Sequence, residues 1–284
     1  MGNLLWIASY PKSGNTWIRI FIENYLRNTQ QPVDVNILHR ASTAEASAYR
    51  YQKYVQQGLQ TTDLTIEEIC AIRPLVHQDI ARQANGSVFI KTHNYLGEFR
   101  GHPLHNSSVT SGAIYIVRNP LDVTISMSNY FNYSIDETID YMTEEMTGTP
   151  NEPENVPQII TSWSLHVKSW TQEHDPSCLV LRYEDLLTNS RKSFRKIESF
   201  LKLKKDPSRL KMAIRNSSFE KLKVQEIENG FIEKHENTNL FFRQGKKNQW
   251  QKNLTNLQIQ KIVDCHGTQM ARFKYLPSHY NAQT

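Results

Sequence analysis

The fold is decided by the stretch Leu4-Leu5-Trp6-Ile7-Ala8-Ser9-Tyr10-Pro11-Lys12-Ser13-Gly14-Asn15-Thr16-Trp17. It joins an apolar run, predicted to be a strand over 4–9, to an amphipathic helix predicted over 16–28. A loop between a strand and a helix N-terminus directs backbone N–H groups and the positive end of the helix dipole at one point, which favours a bound phosphate. Gly14 permits close backbone approach, Lys12 adds a full positive charge, and Thr16 is expected to cap the helix.

The residue order in this loop differs from that of a Walker A loop. In G-x-x-x-x-G-K-[ST] the lysine follows the last glycine and the Ser or Thr holds magnesium. Here Lys12 precedes Gly14, and no group of Asp, Glu and His residues has metal-ligand spacing. A P-loop nucleotide kinase is therefore the alternative enzyme that fits less well, and we expect no metal requirement.

Short apolar runs alternate with helical patterns along the chain, which is typical of an α/β fold. No repeat, low-complexity tract or Gly/Ser linker divides the sequence, so we predict one domain over 1–284 with a central parallel sheet flanked by helices. Two stretches are predicted to be loops and candidate lids: 134–157, which is acidic and contains three prolines, and 228–242, which is rich in Asn, Glu and Gly. Strands are predicted at 4–9, 87–91, 112–117 and 178–182, and helices at 16–28, 63–82, 120–131, 156–173 and 191–202.

Composition excludes several classes of protein. Hydrophobic residues make up 38% of the 284 residues, which excludes a disordered or collagen-like chain. The longest apolar runs, such as 113–117, are far shorter than the roughly 20 residues of a membrane-spanning helix. Three scattered cysteines without a C-x-x-C pair indicate a reducing compartment. With a strand beginning at Leu4 and no signal peptide ahead of it, we expect a soluble cytoplasmic protein.

Charge is unevenly distributed around the net +5. Residues 1–190 carry 13 basic and 20 acidic side chains, whereas residues 191–252 carry 17 basic and 7 acidic ones. A basic third on an acidic protein indicates a local anion site, a nucleic-acid-binding face or a solvated helix surface. A nucleic-acid-binding module is thus the alternative from another class, although the acidic first 190 residues weigh against it.

The loop at Tyr10–Trp17 resembles the 5′-phosphosulfate loop of sulfotransferases that use 3′-phosphoadenosine 5′-phosphosulfate (PAPS). Further segments resemble that family in the same order, so the resemblance covers residues 4 to about 255. These segments are Lys91-Thr92-His93, the run 115–123 with Ser126, Leu181-Arg182-Tyr183-Glu184-Asp185-Leu186, Ser217-Ser218-Phe219, and Phe242-Arg243-Gln244-Gly245 with Trp250.

The resemblance implies an enzyme that transfers a sulfuryl group from PAPS to a hydroxyl or amine of a small-molecule acceptor, with 3′-phosphoadenosine 5′-phosphate (PAP) as the second product. It assigns His93 as the base, with Lys12 and Lys91 assisting transfer in a P-loop-like site. The donor-binding residues that it implies are Lys12, Ser13, Gly14, Asn15, Thr16, Trp17, Arg118, Ser126, Tyr183, Ser217, Phe219, Arg243, Gln244 and Gly245.

Some positions depart from the family pattern. Asn15 stands where animal cytosolic members commonly have Thr, which is similar to bacterial secondary-metabolite relatives, and Gln244 replaces the usual Lys. The family's short dimer motif retains only Thr255 among Gln251, Thr255, Asn256 and Gln260. We therefore expect a monomer or homodimer, without nucleic-acid or membrane partners.

The acceptor pocket is expected in three loops, 36–60, 94–110 and 134–157, because variable loops carry specificity. The third loop is strongly acidic, with Glu137, Asp140, Glu144, Glu145, Glu152 and Glu154. Its charge predicts either a solvated lid or a polar or cationic small-molecule acceptor rather than a plain phenol or sterol. The acceptor that we expect is a secondary metabolite such as a guanidinium alkaloid or a glycosylated or peptidic natural product.

Overall fold

The computed structural model describes residues 2–38, 43–234, 238–278 and 280. Its strands are β1 Asn3–Ser9, β2 Thr43–Ala44, β3 Ser87–Thr92, β4 Glu98–Phe99, β5 His102–Pro103, β6 Thr110–Val117 and β7 Cys178–Arg182. Its helices are α1 Asn15–Arg27, α2 Ile66–Gln83, α3 Pro120–Phe131, α4 Ile135–Thr143, α5 Trp163–Thr171, α6 Tyr183–Thr188, α7 Ser190–Phe200, α8 Pro207–Asn216, α9 Phe219–Asn229, α10 Trp250–Asn253 and α11 Asn256–Arg272.

The main sheet is parallel and has the strand order β2-β3-β1-β6-β7. β1 lies at its centre and sends alternate side chains to two cores. Trp6 packs with Tyr115 and with α2, α3, α5 and α11 on one face, whereas Ile7 packs with Ile114 and with α1, α7 and α8 on the other. Because helices cover both faces, the central strands are apolar throughout. The predicted central parallel sheet flanked by helices is confirmed.

Two predicted segments differ from the structure. The helix predicted over 156–173 begins only at Trp163, because the buried residues ahead of it are not helical: Ile159 pairs with Gly148 and Thr161 has a φ of 66°. Their apolar pattern reflects core packing rather than helical periodicity. The stretch 134–157, predicted to be a loop, contains α4, whose first turn is closed by a capping box between Ser134 and Glu137.

The carboxyl ends of four neighbouring strands meet at one edge of the sheet, where ligand sites of open α/β folds lie. β1 leads into the loop before α1, β3 ends just before His93, β6 ends just before Arg118, and β7 ends just before Tyr183. The order of the strands thus brings together residues that are far apart in sequence. Within the described part of the chain, no helix is long and apolar enough to cross a membrane.

Candidate active site

The loop between β1 and α1 has the geometry of an anion site. Gly14 has a φ of 104°, and a Cβ on it would lie 2.8 Å from Cδ2 of Tyr183, so glycine is required here. The first N–H bonded within α1 is that of Ile18, which donates to the Gly14 carbonyl at 3.2 Å. The preceding N–H groups therefore have no acceptor in their own helix and are available to an anion. The predicted cap at Thr16 is wrong, because Gly14 is the N-cap residue and Thr16 already lies inside the helix.

The Lys12 ammonium is enclosed by aromatic rings. Its Nζ lies 3.5 Å from the ring centroid of Tyr130 and 3.7 Å from that of Phe241. Burial, together with the charges of Arg118 and Lys91, lowers the pKa of Lys12 well below its usual value. A buried cation beside two other cations is stabilised by a bound anion, so this environment favours a negatively charged ligand.

Asn15 and Ser13 are buried in the loop rather than exposed on it. Nδ2 of Asn15 donates to the carbonyl of Ile7 at 2.7 Å and to Oγ of Ser9 at 3.4 Å. Oγ of Ser13 donates to the Pro11 carbonyl at 3.4 Å. These contacts tie the loop to the end of β1, so the two side chains shape the loop and leave its amides for ligand binding.

His93 follows β3 and is held in one tautomer. Its Nδ1 lies 2.7 Å from the carbonyl oxygen of Ser9, which accepts only, so Nδ1 carries the proton and Nε2 has the free lone pair. Burial, and then the charge of Lys91, lowers the pKa of His93 to about 3, so the ring is neutral near pH 7. On the other side, Nε2 of His166 donates to the His93 carbonyl, and Nδ1 of His166 accepts from Tyr115.

Arg118 follows β6 and faces the loop before α1. One Nη donates to the Lys12 carbonyl at 2.7 Å, and the guanidinium lies 4.4 Å from the ring centroid of Tyr183. Its Nε is buried and has no hydrogen-bond partner in the described structure. Burial and the charge of Arg118 lower the pKa of Arg243. Two mutually repelling guanidinium groups and a buried unpaired donor fit a phosphate ligand. Ser126 lies in the second turn of α3 and is half-buried.

The late basic segment is fixed to this region by a carboxylate. Oδ2 of Asp122 accepts from the N–H of Asn248 at 2.7 Å, and Oδ1 accepts from that of Trp250 at 3.1 Å. Asp122 therefore anchors the segment that follows Arg243. Gln244 is exposed. A Cβ on Gly245 would lie 2.4 Å from the ring of Phe219, so this glycine places the backbone directly against that ring.

Aromatic residues form a wall beside the loop. Trp17 packs edge-on against Tyr183 at 5.8 Å, and its Nε1 donates to the Ser217 carbonyl at 2.9 Å. The Ser217 hydroxyl donates to the Ala213 carbonyl at 2.8 Å, so it can only accept from a ligand. Phe219 begins α9 and is half-buried. The structure therefore brings Trp17 into contact with Tyr183 and Ser217, and the ring of Tyr183 lies against Gly14.

The sequence did not identify two charged residues, Arg19 and Glu233, that lie near Lys91. Arg19 of α1 forms a bidentate pair with Glu233, with distances of 2.8 and 2.6 Å. Lys91 approaches the same carboxylate at 3.5 Å. The available signal is Arg19 itself, because a charged residue between apolar Ile18 and Ile20 requires a buried partner. Sequence spacing does not identify Glu233 as that partner.

Several carboxylates of the acidic stretch 134–157 form capping, ion-pair or hydrogen-bond contacts at the protein surface. Glu137 closes the capping box of α4, Asp140 pairs with Lys261, and Asp136 accepts from Gln258 at 3.0 Å. Glu145 is exposed.

Of the expected acceptor loops, 36–60 includes residues 39–42, which lie outside the described residues. In the described part of the chain, no cluster of three or more His, Cys, Asp or Glu residues is placed to hold a metal ion.

Comparisons with known proteins give a consistent result. A sequence profile described as the sulfotransferase domain matches residues 3–274. The chain is 29% identical to a 3-alpha-hydroxysteroid sulfotransferase of Cavia porcellus over 56% of each protein, so this match spans about half of that relative. It is 26% identical to sulfotransferase 1A1 of Rattus norvegicus over 92% of this chain and 82% of that protein. The structure is similar to that of mouse sulfotransferase SULT7A1 complexed with PAP, with a TM-score of 0.63 and 21% identity, covering 94% of this chain and 84% of that one.

Proposed function

Because the chain belongs to the sulfotransferase domain family, we propose that it is a PAPS-dependent sulfotransferase that acts on a hydroxyl or amine of a small-molecule acceptor. The observation that carries this proposal is the neutral His93, whose Nε2 lone pair is free and whose ring lies near Lys91. Lys91 and Arg118 in turn lie close enough to Lys12 to lower its pKa, so the base borders a group of three cations. A base next to a strongly cationic loop suits transfer of a group from an anionic donor to a hydroxyl or amine that must lose its proton.

The residues around the loop fit the donor on grounds of their own chemistry. The unpaired Nε of Arg118 and the nearby Arg243 provide charged donors for a 3′-phosphate. The free N–H groups at the start of α1 and the Lys12 ammonium suit the 5′-phosphate. The Phe219 ring lies against Gly245, and the Tyr183 ring lies against Gly14 and Arg118, so aromatic side chains stand beside these cations, where a purine can pack.

When bound, PAPS supplies a sulfuryl group on a phosphate leaving group. Lys12 stabilises the charge that develops on that phosphate, because its compact ammonium contacts single oxygens well. Lys91 neutralises the group in transfer, and Nε2 of His93 accepts the proton of the acceptor. The pKa of His93, about 3, makes it a weak base in this arrangement of charges. An anion bound beside Lys91 raises that pKa by offsetting the cationic charge.

The finer proposal concerns the acceptor. The exposed carboxylates of Glu145, Glu152 and Glu154 support an acceptor with a cationic group, such as a guanidinium-bearing secondary metabolite. The other acidic side chains of this stretch that have surface partners support a solvated helix instead. Neutral alcohols and amines therefore belong in the same test.

The test is a turnover assay of the full chain with PAPS and a panel of guanidinium-bearing, amino-bearing and neutral alcohols, with EDTA present. We expect acceptor-dependent formation of PAP and of a sulfated product, and no PAP formation by Lys12→Ala. Magnesium-dependent transfer of phosphate from ATP, or salt-sensitive nucleic-acid binding without PAPS turnover, would favour the two alternatives. Consistently better turnover of neutral phenols would refute the proposal of a cationic acceptor, but it would leave the proposed sulfotransferase activity standing.

A further inference from the structure

Glu233 bridges two elements that each contribute a cation next to His93. Its carboxylate accepts both Nη groups of Arg19 from α1 and lies 3.5 Å from Nζ of Lys91 on β3. The Arg19 side chain is 1% exposed, Glu233 19% and Lys91 24%, so the pairing is largely shielded from water. Ion pairs in such surroundings constrain geometry far more than exposed ones.

The backbone of Glu233 is fixed to the same site. The Tyr130 hydroxyl donates to the Glu233 carbonyl at 3.0 Å, and the Tyr130 ring holds the Lys12 ammonium. Thr238 donates to the Tyr130 carbonyl at 2.5 Å, and the Phe241 ring lies against Lys12 from the other side. The backbone of Glu233 and two residues that follow it, Thr238 and Phe241, are thus attached through Tyr130 and Lys12 to the loop before α1, and the carboxylate has little freedom to leave.

We propose that Glu233 is a positioning residue of the transfer site, which holds the Lys91 ammonium in place beside His93 by bridging it to Arg19. This inference rests on the proposed sulfuryl transfer and extends it to a residue outside the motifs. Lys91 has a flexible four-carbon stem and lies close to other cations, which repel it. Without an anion that is itself held by the buried Arg19, Lys91 turns away from the site or loses its proton.

The charged and titratable groups that face Lys91 come from four places. Arg19 faces it from α1, Lys12 from the loop after β1, the neutral His93 from just beyond the end of β3, and Glu233 from the segment after α9. Burial lowers the pKa of Lys91, and Glu233 opposes that effect. Loss of the Glu233 charge therefore lowers the pKa of Lys91 further and moves the basic limb of the rate profile to lower pH.

The experiment compares Glu233→Gln with Glu228→Gln, which removes an exposed carboxylate at the end of α9. Glu233→Asp is the control for misfolding, because the aspartate keeps a negative charge opposite Arg19. Its side chain is one methylene too short to reach both Arg19 and Lys91. We expect kcat to fall about 10²-fold in Glu233→Gln, the effect of misplacing a transfer group by roughly 1 Å. Affinity for PAP, which lacks the transferred group, stays at the wild-type value, and Glu228→Gln behaves as wild type throughout.

Two further readouts separate positioning from a general structural role. The Lys91→Met and Lys91→Met/Glu233→Gln proteins should have equal kcat, because Glu233 acts through Lys91. In ¹³C-lysine NMR titrations, the signal that is absent from Lys91→Met should titrate at lower pH in Glu233→Gln.

Wild-type kcat in both Glu233 variants overturns the positioning role while leaving the proposed function intact. A loss of PAP affinity and thermal stability that matches the loss of kcat in both variants also overturns it, as a purely structural effect. Absence of sulfuryl transfer by the wild-type protein instead refutes the proposed function, and the NMR titration then still reports whether Glu233 controls Lys91.

Discussion

Replacement of Arg118 by alanine should discriminate between two nucleotides that differ only in the 3′-phosphate. Arg118 is 5% exposed, its Nε is buried without a partner, and one Nη donates to the Lys12 carbonyl. The unpaired Nε supports the proposed contact of Arg118 with the 3′-phosphate of PAP. The hydrogen bond from Nη anchors the loop that is proposed to hold the 5′-phosphate of any adenine nucleotide.

The expected magnitudes follow from these two contacts. A hydrogen bond to a charged group contributes about 1.5–3 kcal/mol, so loss of the 3′-phosphate contact weakens PAP binding about 10- to 150-fold. Loss of the hydrogen bond to the Lys12 carbonyl costs about 0.5–1.5 kcal/mol of binding free energy and weakens the binding of both nucleotides about 2- to 10-fold. Adenosine 5′-phosphate therefore shows only the smaller effect, and PAP shows both.

Isothermal titration calorimetry of PAP and adenosine 5′-phosphate on the wild type, Arg118→Ala and Arg182→Ala measures these effects. Arg182 is the matched control, because it ends the neighbouring strand β7, lies over an aromatic ring and pairs with Asp185. Its replacement should leave both affinities near the wild-type values. Equal losses of affinity for the two nucleotides in Arg118→Ala would refute the assignment of Arg118 to the 3′-phosphate.

The remaining predictions concern the base, the loop and acid stability. His93→Ala should lower kcat roughly 10²–10⁴-fold with donor affinity unchanged; full activity on an alcohol acceptor at neutral pH would remove His93 from the mechanism. Gly14→Ala should cost more unfolding free energy in urea than Gly58→Ala. Both have positive φ, worth about 1–3 kcal/mol, but only Gly14 also meets an aromatic ring, whereas nothing lies within 4 Å of a Cβ at Gly58; equal losses would contradict the close contact. Burial lowers the pKa values of His77 and His166 to about 3, so the unfolded chain binds more protons below pH 6.5. Stability should therefore fall by about 1.4 kcal/mol per pH unit for each histidine between pH 6 and pH 4, and a flat urea-unfolding profile over this range would refute their burial as neutral groups.

The secondary structure was predictable wherever local chemistry decides it. The helix predicted over 63–82 begins at Ile66, where Thr65 and Glu68 close a capping box. The helix α3 spans the predicted 120–131 because Asn119 caps it and Pro120 occupies its first turn. The segment 156–162 was not predictable, because its apolar residues are buried by contacts with distant parts of the chain. Periodicity alone does not separate a buried extended segment from a buried helix.

In the candidate active site, too, local motifs were predictable from the sequence, whereas contacts between distant segments were not. Sequence by itself determined the loop between β1 and α1 and the α/β fold, because these depend on short motifs with fixed local geometry. The single domain and the set of donor-binding residues stay predictions. Only the tertiary structure decided the state of His93, since its tautomer depends on the Ser9 carbonyl across the sheet and its pKa on burial and on Lys91. It also decided the partners of Arg19 and Lys91. Glu233 is more than 140 residues from Lys91 along the chain, and an ion pair depends on distance in space, for which sequence spacing provides no measure.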